Sequence, residues 1–215
     1  MIRKLKDPVS GLTHLVGALA SVAALVVLVV LAVRDGTAWH VVAFAIFGAS
    51  LILLYTASSL YHLLPLSERG NRVLRRLDHI MIFLLIAGTY TPICLIPLRG
   101  GWGWSLLVSV WTLALAGIFL KLFWLQAPRW LSTGIYLFMG WLIVVATWPL
   151  IHTIPPGGMI WLGIGGFSYT IGAVIYGLKR PNLIRGMGFH EVFHLFVIAG
   201  SFSHFWMMLR YILYI

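Results

Sequence analysis

Seven stretches of the chain are apolar with almost no interruption, roughly 11–33, 39–64, 78–98, 104–124, 131–151, 158–178 and 189–214. Each approaches or exceeds the ~20 residues that a helix needs to cross a bilayer. The runs are continuous and do not alternate, so they predict helices and not the strands of a membrane β-barrel. Polar and basic residues are confined to short connections. No soluble domain, low-complexity tract or internal repeat interrupts the pattern, and an inverted-repeat transporter finds no support. The expectation is an all-α membrane protein in which residues 1–215 form a single seven-transmembrane helix bundle.

Composition agrees. The chain is 61% hydrophobic and 9% charged, against about 25% charged in soluble domains. The net charge of +10 would point to nucleic acid in a soluble protein. Here the basic residues flank apolar spans, where they set topology and meet anionic lipid headgroups. No basic patch is interleaved with aromatics, so no nucleic-acid partner is expected, and no obligate protein partner is evident. Cys94 is the single cysteine, which excludes an internal disulfide and any multi-cysteine metal site. The basic start MIRKLKD precedes an apolar run too long for a secretion signal, so it reads as the first retained span.

The charges orient the spans. A cytoplasmic N-terminus places Arg3, Lys4, Lys6, Arg69, Arg72, Arg75, Arg76, Lys121, Arg129, Lys179, Arg180 and Arg185 on the cytoplasmic side. The other side keeps only Arg34, Arg99 and Arg210. The positive-inside rule then gives the N-terminus in the cytoplasm and the C-terminus outside.

That topology brings scattered polar residues to one level. Ser58 and His62 lie near the cytoplasmic end of span 2. Asp78 and His79 open span 3, His190, Glu191 and His194 open span 7, and Thr13 and His14 open span 1. Residues four apart share a helix face, so Ser58 and His62 face one way, as do His190 and His194. Ionisable groups inside a membrane are costly and face a partner or a cavity. Three imidazoles with a water or carboxylate make an open zinc site able to activate water. His62, His190 and His194 are the expected ligands. Asp78 is placed either to complete the shell or to serve as general base. Ser58 is placed to orient Asp78 or to polarise a carbonyl.

The remaining histidines read as structural. His79 points about 100° away from Asp78 around its helix. His14 either caps the site or bonds between helices. His204 lies about 15 Å deeper than His194 and is expected to bond between helices, with His40 and His152 interfacial on the opposite side. HEVFH also satisfies the H-E-x-x-H pattern of zinc proteases. No acidic residue follows it, and membrane-embedded site-2 proteases need such a partner downstream. Pro92 predicts a kink in span 3 relieved by Thr89 or neighbouring helices. Gly163, Gly165 and Gly166 predict close helix approach. Trp102, Trp104, Trp130, Trp148 and Trp161 predict an interfacial belt.

The segments DPVSGLTH, SSLYH with a following Asp, AGTYTP and HEVFH resemble the haemolysin III branch of the progestin and adipoQ receptor superfamily. The resemblance runs from Asp7 to the last span. It implies seven helices, a bacterial inner-membrane location, and an intramembrane zinc on His62, His190 and His194, with Asp78 and Ser58 beside it. Alkaline ceramidases, as relatives, imply hydrolysis of lipid amides. The chain departs from the usual pattern in span 1: Asp7 stands where Glu is typical and Ser10 where Asn is typical. This bears on any polar network from span 1 and not on the zinc ligands. The expected function is therefore a zinc-dependent hydrolase of a lipid amide or ester with its site near the cytoplasmic face. The alternatives are a non-enzymatic sensor or regulator of lipid state with a structural zinc, and a haemolysin-like pore or transporter. Against a pore, no polar stripe suited to lining a channel is present.

Overall fold

The structure is a computed structural model and describes residues 5–183 and 187–215. Arg3, Lys4 and Arg185, three of the charges used to orient the spans, lie outside the described residues. Seven helical segments are long and apolar enough to cross a membrane. They are α1 (Pro8–Asp35), α2 (Ala38–Leu63), α3 (Glu68–Leu95), α4 (Gly101–Phe123), the interrupted fifth span, α7 (Pro156–Leu178) and α8 (Phe189–Arg210). The fifth span comprises α5 (Arg129–Trp141), a 3-10 turn (Leu142–Ala146) and α6 (Thr147–Thr153).

Local chemistry sets the boundaries. Pro8 opens α1 and Pro156 opens α7, where a missing N–H costs nothing. Ser67 caps α3 by accepting from the Gly70 N–H. Lys179 ends α7 in the left-handed region, at φ 57. The third span differs from expectation. The helix begins at Glu68, ten residues before Asp78, because the Ser67 cap starts it in the polar segment. The basic run Arg69–Arg76 is therefore helix and not loop.

The helices close into a ring. α1 packs against α2 and α8, α2 against α3, α3 against α4, and α7 against α8, while α5 bridges α3 and α7. Large side chains fill the shared interior, among them Phe44, Phe47, Phe83, Met139, Met207 and Met208. Outward positions of α1 such as Val16, Leu19, Val26, Val30 and Val33 stay exposed, as lipid-facing residues must. Gly88 of α3 lies so close to Ser50 of α2 that a β-carbon would collide with it.

The break in span 5 has an identifiable cause. The Tyr90 hydroxyl of α3 inserts into the helical ladder. It accepts from the Ile143 N–H at 2.8 Å and lies 2.7 and 2.8 Å from the Met139 and Gly140 carbonyls. Pro149, which follows, has no N–H to restore the α pattern. Span 3, by contrast, is helical throughout despite Pro92, and Thr89 donates to the Leu85 carbonyl.

Other expectations need correction. Gly165 does make a close approach, against His204, but a β-carbon at Gly163 or Gly166 would meet nothing. Both line an internal cavity and keep it wide. His204 bonds within its own helix, to the Gly200 carbonyl at 2.7 Å, and stacks on Tyr169. His40, in the first turn of α2, is buried by its neighbours. Its Nδ1 accepts from the Thr37 N–H and its Nε2 donates to the Ile212 carbonyl. His152 is exposed. Trp102, Trp104, Trp130 and Trp148 are exposed as a belt requires, whereas Trp161 packs on Phe202 and Trp206.

Candidate metal centre

The start of α1 is pinned to the end of α2. The Asp7 N–H donates to the His62 carbonyl at 2.8 Å, and Lys6 Nζ reaches the Tyr61 carbonyl and Asn71 Oδ1. Burial lowers the pKa of the Lys6 ammonium, an effect that the adjacent Asp7 carboxylate opposes. The clamp sets Asp7 Oδ2 3.2 Å from His62 Nδ1. His62 therefore donates Nδ1–H to the carboxylate and turns Nε2 toward α8.

Two turns of α8 supply the partners. His62, His190 and His194 each present one nitrogen within 4.8 Å of the others. The Nε2 atoms of His62 and His190 are 3.1 Å apart. Two nitrogens bound to one tetrahedral zinc stand about 3.3 Å apart, given Zn–N lengths of about 2.0–2.1 Å. His194 donates Nδ1–H to the Ser10 carbonyl at 3.2 Å, which leaves its Nε2 free. Two of the three rings are thus fixed in the tautomer that offers Nε2 as a ligand, by the carboxylate and carbonyl partners that metal-bound histidines usually have. The donor set suits a metal ion.

Span 1 carries more of this network than the departures at Asp7 and Ser10 led us to expect. Asp7 orients His62. The Ser10 hydroxyl donates to Glu191 Oε1 at 2.7 Å, while its carbonyl orients His194. Glu191 Oε2 accepts from the Gly188 N–H at 2.9 Å. The Glu of HEVFH therefore caps its own helix and ties it to α1, and it does not join the donor group. The DPVS segment was the available signal for these contacts.

His14 lies at the same level, 2% exposed. It stacks on His194 with ring centroids 3.6 Å apart, and neither ring nitrogen finds a partner among the described residues. It makes no hydrogen bond between helices among the described residues. Thr13 turns outward and bonds to its own helix.

The centre borders a cavity of about 570 Å³ enclosed mainly by α3, the interrupted fifth span, α7 and α8. His14, Ser58, Asp78, His79, His190 and His194 all line it, whereas His62 does not. Asp78 stands on the wall outside the group of close donors. Ser58 is buried and makes no hydrogen bond to Asp78 among the described residues. His79 donates to the Arg75 carbonyl of its own helix. Beyond this polar end the walls turn apolar, with Leu85, Ile86, Ile143 and Val197. Arg75, Lys121 and Arg129 also line the cavity, a basic wall that reading the loops only for topology had missed.

The family model described as Haemolysin-III related matches residues 2–205. The chain belongs to this family. It is 41% identical to the Hemolysin-3 homolog of Bacillus subtilis (strain 168) over 202 residues, covering 94% of this chain and 92% of that protein. It is also 41% identical to Hemolysin-3 of Bacillus cereus over 204 residues, covering 95% and 90%. It is 23% identical to the human Monocyte to macrophage differentiation factor over 182 residues, covering 81% and 72%. The chain is thus a multi-pass membrane protein of the haemolysin III family, within the progestin and adipoQ receptor superfamily.

Proposed function

We propose that the chain is a zinc-dependent hydrolase of a lipid amide or ester in the bacterial inner membrane. Its N-terminus and metal centre face the cytoplasm, and its C-terminus faces outside. The observation that carries this reading is the cavity. It joins two of the three clustered histidines, a carboxylate and a hydroxyl to an apolar chamber whose volume falls in the ordinary range of ligand pockets, about 300–1,000 Å³.

His62, His190 and His194 would hold the metal. Bound zinc supplies Lewis acidity that polarises a carbonyl and lowers the pKa of water. Asp7 and the Ser10 carbonyl hold the protons on Nδ1 of His62 and His194, so that both Nε2 atoms keep their lone pairs. The Asp78 carboxylate, on the cavity wall, takes the proton of the attacking water and returns it to the amine or alcohol that leaves as the acyl C–N or C–O bond breaks. The Ser58 hydroxyl donates a hydrogen bond to the carbonyl oxygen of the substrate. The apolar walls receive the acyl chain and exclude bulk water.

A structural zinc in a lipid sensor is the competing reading. With Asp78 outside the close group, such a metal would join α2 to α8 and leave α3 unattached. The pore suggested by the hemolysin names of the Bacillus relatives gains no support from the far end of the cavity, where Ile93, Leu150 and Met159 are apolar.

Metal analysis and a lipid-hydrolysis screen on one purified sample test the proposal, with Asp78→Asn alongside. The variant should keep its zinc and lose about 10²–10⁴-fold in turnover, the contribution of a positioned base. A structural zinc predicts no hydrolysis in either protein. Undiminished turnover in Asp78→Asn would refute the assigned base.

A further inference from the structure

The proposed chemistry leaves the basic wall of the cavity unused. Arg75 stands on α3, Lys121 in the last turn of α4 and Arg129 at the start of α5. Lys121 is 2% exposed. Its Nζ meets Ser132 Oγ at 2.5 Å and makes no ion pair among the described residues. An ammonium carries three donors, and a buried charge is costly unless paired. The C-terminal dipole of α4 offsets about half an elementary charge, which leaves the rest uncompensated.

The acidic residues cannot supply the balance. The chain has five. Asp7 faces His62 and Lys6, Asp35 pairs with Arg34, Glu68 with Arg72, and Glu191 binds Ser10 and Gly188. Asp78 is the one carboxylate lining the cavity, and it forms no ion pair with Lys121, Arg75 or Arg129 among the described residues. Three cations thus face one carboxylate. Arg129 is anchored by the Tyr176 carbonyl at 3.1 Å and by the Tyr176 ring, 4.5 Å from its guanidinium. That fixes its position without neutralising it.

Basic residues at helix ends commonly reach out to bilayer phosphates. Lys121 cannot, because it is enclosed by protein. An anion that pairs with it has to enter the cavity, and the adjoining wall is apolar. We propose that this cavity binds an amphiphile with one chain on the apolar wall and a phosphate-class anionic headgroup at Lys121, Arg75 and Arg129. The inference rests on reading the cavity as a lipid site and names the headgroup that such a lipid carries. A phosphate offers several oxygens to a lysine point charge and two arginine forks at once, which a carboxylate does not match. Inorganic phosphate shares the headgroup chemistry but leaves the apolar wall empty.

The test uses the full chain in maltoside micelles, which contain no phosphate. Binding is measured for lysophosphatidic acid, the matched monoacylglycerol, the matched fatty acid and inorganic phosphate. Lysophosphatidic acid should bind at least about tenfold more tightly than each of the others, as expected when charged hydrogen bonds are gained. Lys121→Met should lower lysophosphatidic acid affinity about 10- to 100-fold and leave monoacylglycerol binding unchanged, which also shows that the variant is folded. Lys121→Arg should keep most of the preference. Equal binding of the phosphate lipid and the monoacylglycerol would overturn the proposal, as would a Lys121→Met variant that retains the preference. A fatty acid or inorganic phosphate binding as tightly would overturn the phosphate headgroup or the lipid source respectively. Absent turnover in wild type with the preference intact defeats only the hydrolase reading, while turnover without the preference defeats only this one.

Discussion

Removing the Asp7 carboxylate should weaken metal binding while leaving the fold in place. Asp7 Oδ2 lies 3.2 Å from His62 Nδ1, and the histidine side chain is 4% exposed while the aspartate's is 46% exposed. Partners of this kind usually matter by about 10- to 100-fold in metal affinity. Solvent screening of a half-exposed carboxylate puts Asp7 at the lower end, so Asp7→Ala should cost about tenfold, or about 1.4 kcal/mol of binding free energy. Asp7 stands at the N-terminal cap of α1 but makes no side-chain capping bond, and its N–H to the His62 carbonyl survives the substitution. The helix start should therefore hold. Ser10→Ala is the control. His194 is oriented by the Ser10 backbone carbonyl, which the substitution retains, so zinc affinity should stay within about twofold of wild type by the same reasoning. Competition against a chromophoric chelator in detergent, with a melting curve on each sample, reads both effects. Wild-type affinity in Asp7→Ala would refute the assignment of Asp7 as the group that orients His62.

Three further outcomes follow from the same geometry. Zinc should copurify at about one ion per chain, as three imidazole donors suit it, and His190→Ala or His194→Ala should remove most of it; full metal content in both would refute the ligand set. Reporter fusions should place the N-terminus in the cytoplasm and the C-terminus outside, and a cytoplasmic C-terminus would refute the orientation. Tyr90→Phe should leave the Ile143 N–H without its partner and cost about 1–3 kcal/mol, seen as a lower melting temperature. An unchanged melting temperature would mean that span 5 heals into regular helix without the hydroxyl.

Hydrophobic run length alone determined the seven crossings, because a bilayer leaves a chain of this composition no other way to satisfy its backbone. Helical spacing also determined that His190 and His194 share a face, and the alternation of basic connections brought Ser58, His62 and Asp78 near them in depth. Depth is only one coordinate. Rotation about each helix axis and the distance between helices depend on packing, and a pattern that is apolar all round does not encode them. Tertiary structure therefore decided that His62 meets His190 at 3.1 Å while Asp78 stands apart on the cavity wall. It decided that Glu191 turns to Ser10 and its own helix start, although the H-E-x-x-H pattern reads the same either way. It also set the break in span 5, which depends on a tyrosine about fifty residues away in sequence. The burial of Lys121 is of the same kind: a lysine at a helix end looks like a topology signal until its neighbours enclose it.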